Sequence, residues 1–158
     1  MSASLVGSEM CIRDRYNGVL LFTRPMHSSE WSSILFNFYT NSKKAIYRKG
    51  EKGIIGIECG VSEKMIYLEF SDNGIGIPEE YEERIFDEFF TTTSAMNYED
   101  IDSVNAVLGT GLGLKIVKDI VESYKGRIFV TSPKNQFNTC IRVEIPMLDD
   151  KDFEKYGL

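Results

Sequence analysis

Two glycine-rich stretches, Asp72-Asn73-Gly74-Ile75-Gly76-Ile77-Pro78 and Gly109-Thr110-Gly111-Leu112-Gly113-Leu114, constrain this chain more than any other feature. Each joins an apolar run to backbone that can bend sharply or be approached closely. Asp72 follows an apolar strand and precedes Asn73-Gly74, residue types that also make tight hairpin turns. A hairpin needs a second alternating strand, whereas Gly76, Pro78, Glu79 and Glu80 follow here and begin a short helix. A carboxylate at a strand end beside glycines can accept from a purine amino group, with Ile75 or Ile77 against the flat base. The second stretch is Gly-x-Gly-x-Gly running straight into a helix. It is not a Walker loop, and Leu114 stands where a dinucleotide loop carries its last glycine. Bare N–H groups at a helix start attract an anion, although a flexible hinge produces the same pattern.

A third element completes the set. Ser28 or Ser29 can cap a helix running to about Arg48, with Gly50 as its stop signal. Asn37, Asn41 and Lys44 lie at i, i+4 and i+7 and therefore share one face. Leu35, Phe38 and Ala45 are expected on the neighbouring face, packed on a sheet. Asparagine is a mediocre helix former, so two on one stripe need a local reason. A carboxamide oxygen is a hard ligand suited to magnesium, and the lysine suits phosphate. A solvated polar face is the plain alternative. The three elements together read as a nucleotide pocket.

The rest of the chain predicts a mixed α/β domain. Its 158 residues, 42% hydrophobic, suffice for one compact core. A net charge of −6 argues against a nucleic-acid or anionic-membrane surface, while focused lysines and helix dipoles can still hold a polyanion. Cys11, Cys59 and Cys140 show no metal-like spacing and cannot all pair, which suits a reducing interior. Val19-Leu20-Leu21-Phe22 is a strand candidate. Gly53–Cys59 and Lys64–Ser71 are expected to pair as a hairpin, and Arg127–Ser132 with Thr139–Pro146 as closing strands. Leu112, Ile116 and Ile120, with Leu114, Val117 and Val121, predict a helix with a broad apolar face. Thr91–Leu108 reads as a long loop and 149–158 as a polar tail. Ser4–Arg15 (SLVGSEMCIRDR) resembles the conceptual translation of a transposon-end sequencing adapter. Residues 1–15 are thus expected to be a disordered scar, with the authentic domain over 16–148 and its upstream part missing.

The order of asparagine helix, D-x-G-x-G, phenylalanine-rich segment and G-x-G-x-G resembles the GHKL superfamily, most closely the catalytic ATP-binding domain of sensor histidine kinases. The resemblance spans roughly Glu30 to Pro146. It implies the Bergerat fold, a two-layer α/β sandwich with a mixed, mostly antiparallel sheet, helices on one face and a flexible ATP lid over Thr91–Leu108. The implied cofactors are ATP and Mg²⁺, with Asn41 as metal ligand and Asn37 and Lys44 as catalytic residues. Asp72 matches the adenine-recognising aspartate, Gly74 and Gly76 the first glycine box, and Thr139 the threonine supporting that aspartate. Gly109, Gly111 and Gly113 match the second glycine box. Ile77, Phe89, Thr92, Leu112 and Leu114 complete the implied nucleotide contacts, Phe89 and Thr92 lying in the phenylalanine box Arg84–Thr92.

Departures accompany the match. Glu88 stands where proline is frequent, Thr93 replaces a common lysine, Lys125 replaces a glycine after the last helix, and Asn138 replaces a glycine before Thr139. ATP-hydrolysing members usually carry glutamate four residues before the metal-binding asparagine, as general base. Asn37 is a neutral amide there, so slow hydrolysis and transfer to an external histidine are expected. Glu30 reads as a helix-dipole partner, and phosphate release without a partner or nucleotide-regulated binding are the rival functions. His27, the single histidine, precedes the helix cap and lacks the flanking acid and proline of a phosphoacceptor. The implied partners are a histidine-bearing dimerisation domain upstream and a response regulator, with no nucleic acid and no membrane contact. The expected location is cytoplasmic.

Overall fold

The computed structural model describes residues 2–6, 9–16, 19–22, 26–90 and 111–148. The loop expected over Thr91–Leu108, with Thr92 and Gly109, and the tail over 149–158 lie outside the described residues. Strands β1 (Ser2–Val6), β2 (Glu9–Tyr16), β3 (Val19–Phe22) and β4 (Met26–His27) form one small sheet around β2. Helix α1 (Ser28–Lys49) follows, then strands β5 (Ile55–Ser62) and β6 (Met65–Asp72). Two 3₁₀ turns, Glu79–Tyr81 and Arg84–Phe86, precede helix α2 (Gly113–Ser123) and strands β7 (Arg127–Val130) and β8 (Thr139–Pro146). The main sheet has the order β5-β6-β8-β7, every pairing antiparallel. An antiparallel sheet with helices packed on it is the expected two-layer α/β sandwich. Residues 2–6 and 9–16 are the paired strands β1 and β2, with β3 and β4 also pairing on β2.

Strand alternation decides what faces the helices. Leu68 and Phe70 on β6 and Ile141, Val143 and Ile145 on β8 are buried in the core shared with α1 and α2. Asp72 lies in phase with Phe70, so its carboxylate also points at the helix layer. Helix α1 buries Trp31, Ile34, Phe38 and Ser42 at helical spacing. Leu35, expected in this face, is 37% exposed, since one residue beyond Ile34 is a rotation of about 100° away from the sheet. Ile116 is likewise 44% exposed, and α2 packs through Val117 and Val121.

The ends of α1 follow from local chemistry. Glu30, in the first turn, accepts from the His27 N–H at 2.9 Å. Arg48 and Lys49 occupy the last turn, where the helix dipole favours cations. Gly50 closes the helix at φ 73°, donating to the carbonyls of Ile46 and Tyr47. The β5–β6 hairpin turns through Glu63 and Lys64, both at positive φ, and Met147 N–H braces the Lys64 carbonyl at 2.9 Å.

The sheet face away from the helices carries a charge ladder. Arg142 donates to both Glu69 and Glu144 at 2.7 Å, Lys134 adds a 3.1 Å bond to Glu69, and Arg127 binds Glu144. The Arg142 guanidinium also lies 3.8 Å from the Tyr67 ring centre. Burial alone would push both carboxyls up, but hydrogen bonds from the arginines and lysine outweigh it and hold them below the usual range. Their stabilisation is therefore present at neutral pH and lost as pH falls through the lowered values, below the ordinary 4.5. Arg142→Met removes the shared cation while Lys134 and Arg127 remain. It is expected to cost about 2–3 kcal/mol at pH 7 by urea denaturation, with the deficit shrinking as the medium is acidified.

Candidate functional site

Three remote segments meet in one cleft of about 380 Å³. Its walls include Asn37, Asn41, Lys44 and Arg48 from α1, Asp72 at the end of β6 and Thr139 at the start of β8. Gly76 and Ile77 contribute from the first glycine stretch, and Gly111, Leu112, Gly113 and Leu114 from the second. The volume lies in the range of small-molecule sites. Most of the residues expected from sequence are thus brought together.

The buried stripe of α1 turns the adjacent stripe toward this cleft. Asn37, Asn41, Lys44 and Arg48 follow one another at spacings of four, three and four, one helical face. The Asn37 amide nitrogen donates to the Ser33 carbonyl at 2.8 Å, leaving its oxygen as an acceptor. A Cβ added at Gly113 would lie 2.5 Å from that oxygen, so the start of α2 packs directly on Asn37. Helix α2 opens without a side-chain cap and without an acid in its first turn. An uncapped positive helix end therefore lines the cleft. Among the described residues, the ionisable groups lining it are Lys44, Arg48 and Asp72. This local balance is cationic although the chain as a whole is acidic.

Asp72 is 3% exposed, and each carboxylate oxygen accepts one hydrogen bond. Its Oδ1 accepts from the Gly74 N–H at 2.9 Å and its Oδ2 from the Ser42 hydroxyl at 2.7 Å. In the sheet it pairs with Thr139, itself buried. Asn73 anchors the turn: its side chain accepts from Ile54 N–H at 2.8 Å and donates to the Lys52 carbonyl at 2.9 Å. Asn138 donates to the Gly74 carbonyl at 2.7 Å, so the residue standing in place of a glycine serves as a clamp on this turn.

Two of the residues expected from sequence stand outside the lining. Gly74 does not line the cleft; it lies beneath it, where a Cβ would come 2.6 Å from Ala45 Cβ and 2.7 Å from its backbone. Phe89 is 70% exposed at φ 60° and is not among the lining residues, while Phe90 is. Phe86 is the one buried core residue of the three phenylalanines. Gly111 at φ 70° tucks against the Phe89 and Phe90 backbone, where any side chain would collide. Sequence reasoning missed Arg48, which continues the Asn37 stripe and was legible from spacing alone. It also missed Ser42, whose signal was a poor helix former inside an apolar stripe.

An α/β sandwich with an anion-attracting helix start facing a buried carboxylate defines a nucleotide-binding class of domain. The profile of the histidine kinase-, DNA gyrase B- and HSP90-like ATPases matches residues 27–149, and the chain belongs to that family. The sensor protein kinase WalK of Staphylococcus haemolyticus is 35% identical over 130 residues, 78% of this chain and 19% of that protein. The chain thus spans about a fifth of the length of the curated relatives it matches. Among solved structures it is similar to the mycobacterial sensor histidine kinase MprB, with TM-score 0.61 and 24% identity over 81% of this chain and 76% of that one. The nucleotide-free catalytic domain of histidine kinase ThkA gives 0.58 and 26%, covering 83% and 73%. Among the described residues no helix is long and apolar enough to cross a membrane.

Gly74→Ala is expected to force α1 off the turn, lowering stability by about 1–3 kcal/mol in thermal denaturation. The same change disturbs the Asp72–Gly74 bond, so nucleotide affinity measured by titration falls with it.

Proposed function

We propose that this domain binds Mg-ATP and donates the γ-phosphoryl group to a histidine on a separate dimerisation domain, as the catalytic part of a sensor histidine kinase. The carrying observation is the single cleft that joins the Asp72 carboxylate, the Asn37–Lys44 stripe and the uncapped start of α2. In this reading Asp72 accepts from the adenine amino group, Thr139 supports it, and Ile77 flanks the base. Gly76 lets the base approach, its added Cβ meeting only Asn138 at 3.4 Å or more. Lys44 and the N–H groups from Gly111 to Leu114 hold the phosphates, with Asn37 beside them. Thr92, Gly109 and Phe89 stay assigned to the nucleotide by resemblance alone.

The donor set suits magnesium. No group of three or more His, Cys, Asp or Glu that could hold a metal occurs among the described residues. The Asn41 carboxamide oxygen would therefore hold the ion together with ligand phosphates and water, a mode magnesium favours. Bound there, the ion would supply charge neutralisation and alignment of the phosphate chain. The chain's own contribution is positioning: a fixed base at one end, fixed cations and N–H donors at the other.

Transfer is favoured over hydrolysis by the state of Glu30. Its Oε2 accepts from His27 N–H and from the Tyr124 hydroxyl at 2.6 Å, and it does not line the cleft. No glutamate among the described lining residues can take a proton from water beside Asn41. The acceptor histidine would then pass its phosphoryl group to a response regulator, in the cytoplasm where ATP is supplied.

Two titrations and one assay test this. Asn41→Ala is expected to make ATP affinity the same with magnesium and with a chelator. Asp72→Asn is expected to cost about ten-fold or more in ATP affinity and to abolish the preference for ATP over GTP. Prompt phosphate release by the unaltered chain with no acceptor present would favour a self-contained ATPase and overturn the transfer reading.

A further inference from the structure

Ser42 supplies the one hydroxyl on the buried stripe of α1. It is 4% exposed, and burying a hydroxyl is costly unless it is bonded. Serines within helices commonly bond back to the carbonyl four residues earlier, as Ser32 does to Ser28 at 2.8 Å. Ser42 instead reaches across to the sheet and donates to Asp72 Oδ2 at 2.7 Å.

The consequence lies in what the cleft wall offers a ligand. A carboxylate can turn about its last bond, because that torsion is broad. Asp72 is held at both oxygens, by Ser42 from the helix and by Gly74 from the turn. Both Ser42 and Asp72 line the cleft. A serine has a single O–H proton, and this one is committed to Asp72. Together the two side chains therefore present acceptors and no donor. A 6-amino purine matches that pair, while the carbonyl of a 6-oxo purine would face acceptors only.

We infer that Ser42 is a positioning and base-selecting residue, whose hydroxyl holds Asp72 as a fixed acceptor for an exocyclic amine. This rests on the reading of the cleft as an ATP site and adds the residue that orients its recognition group. Ser42 bonds to the group assigned to the base, Asp72, so its effect is confined to the base end.

The test uses the chain as it stands, titrated with ATP, ADP and inosine triphosphate, the last differing from ATP by a 6-oxo group. Ser42→Ala is expected to weaken ATP and ADP by the same factor, about ten-fold. Inosine triphosphate should be weakened little, so the ATP-over-inosine ratio falls. Ser42→Cys, of similar volume and with only a weak donor, should lower the ratio without opening a cavity, which covers the case of an unstable alanine variant. Melting without nucleotide reports any structural cost separately. Unchanged ATP affinity, or equal weakening of ATP and inosine triphosphate, would overturn the assignment. Absence of ATP binding by the unaltered chain would instead sink the underlying reading and this inference with it.

Discussion

The contact between Phe38 and Phe70, with ring centres 5.4 Å apart, sets how α1 lies on the sheet. Each phenylalanine buries enough apolar surface to contribute roughly 2–3 kcal/mol, and together they fix the helix's rotation about its own axis. With Phe38 inward, Asn37 and Asn41 are turned about a quarter of a circle to one side, toward α2. Ser42, one turn beyond Phe38, comes over Asp72. The binding cleft is thus the edge of a hydrophobic core, and its polar groups are oriented by apolar packing beneath them.

That arrangement separates two roles that share one helix. The buried stripe anchors and the neighbouring stripe receives, so a substitution at Trp31, Ile34 or Phe38 would misplace groups it never touches. Glu30 shows the same economy of use. It caps α1 and holds the Tyr124 hydroxyl beyond the end of α2, tying the two helices together. A carboxylate engaged in that way is a fastener, and the neutral Asn37 is left to face the ligand. On the other face of the sheet, the ladder through Arg142 satisfies two buried glutamates with hydrogen bonds. Buried ionic networks of this kind favour one strand register over its neighbours, because a one-residue slip would leave the charges unpaired.

Much of the site was legible before any coordinates. Spacing placed Asn37, Asn41 and Lys44 on one face, and residue type marked Asp72 and the two glycine stretches. Gly76, Ile77, Gly111, Leu112, Gly113, Leu114 and Thr139 line the cleft together with that helix face. The helix faces that differ from expectation have a common cause. Leu35 and Ile116 are apolar and correctly spaced, yet apolarity does not say which side of a helix meets the sheet. Phe89 and Phe90 are adjacent and chemically identical, and only the backbone turn at Phe89 decides which one faces the cleft.

The division between sequence and tertiary structure is therefore physical. Local order determined the elements themselves: a capped helix ending at Gly50, a tight β5–β6 hairpin, a glycine run opening α2. These depend on propensities and on hydrogen bonds a few residues apart, which the order of side chains records directly. Tertiary structure decided the Ser42–Asp72 bond, the clamp of Asn138 on Gly74 and the seating of Gly113 against Asn37. Those join positions far apart in the chain, and whether they meet depends on sheet register and helix rotation, which only the packed core sets.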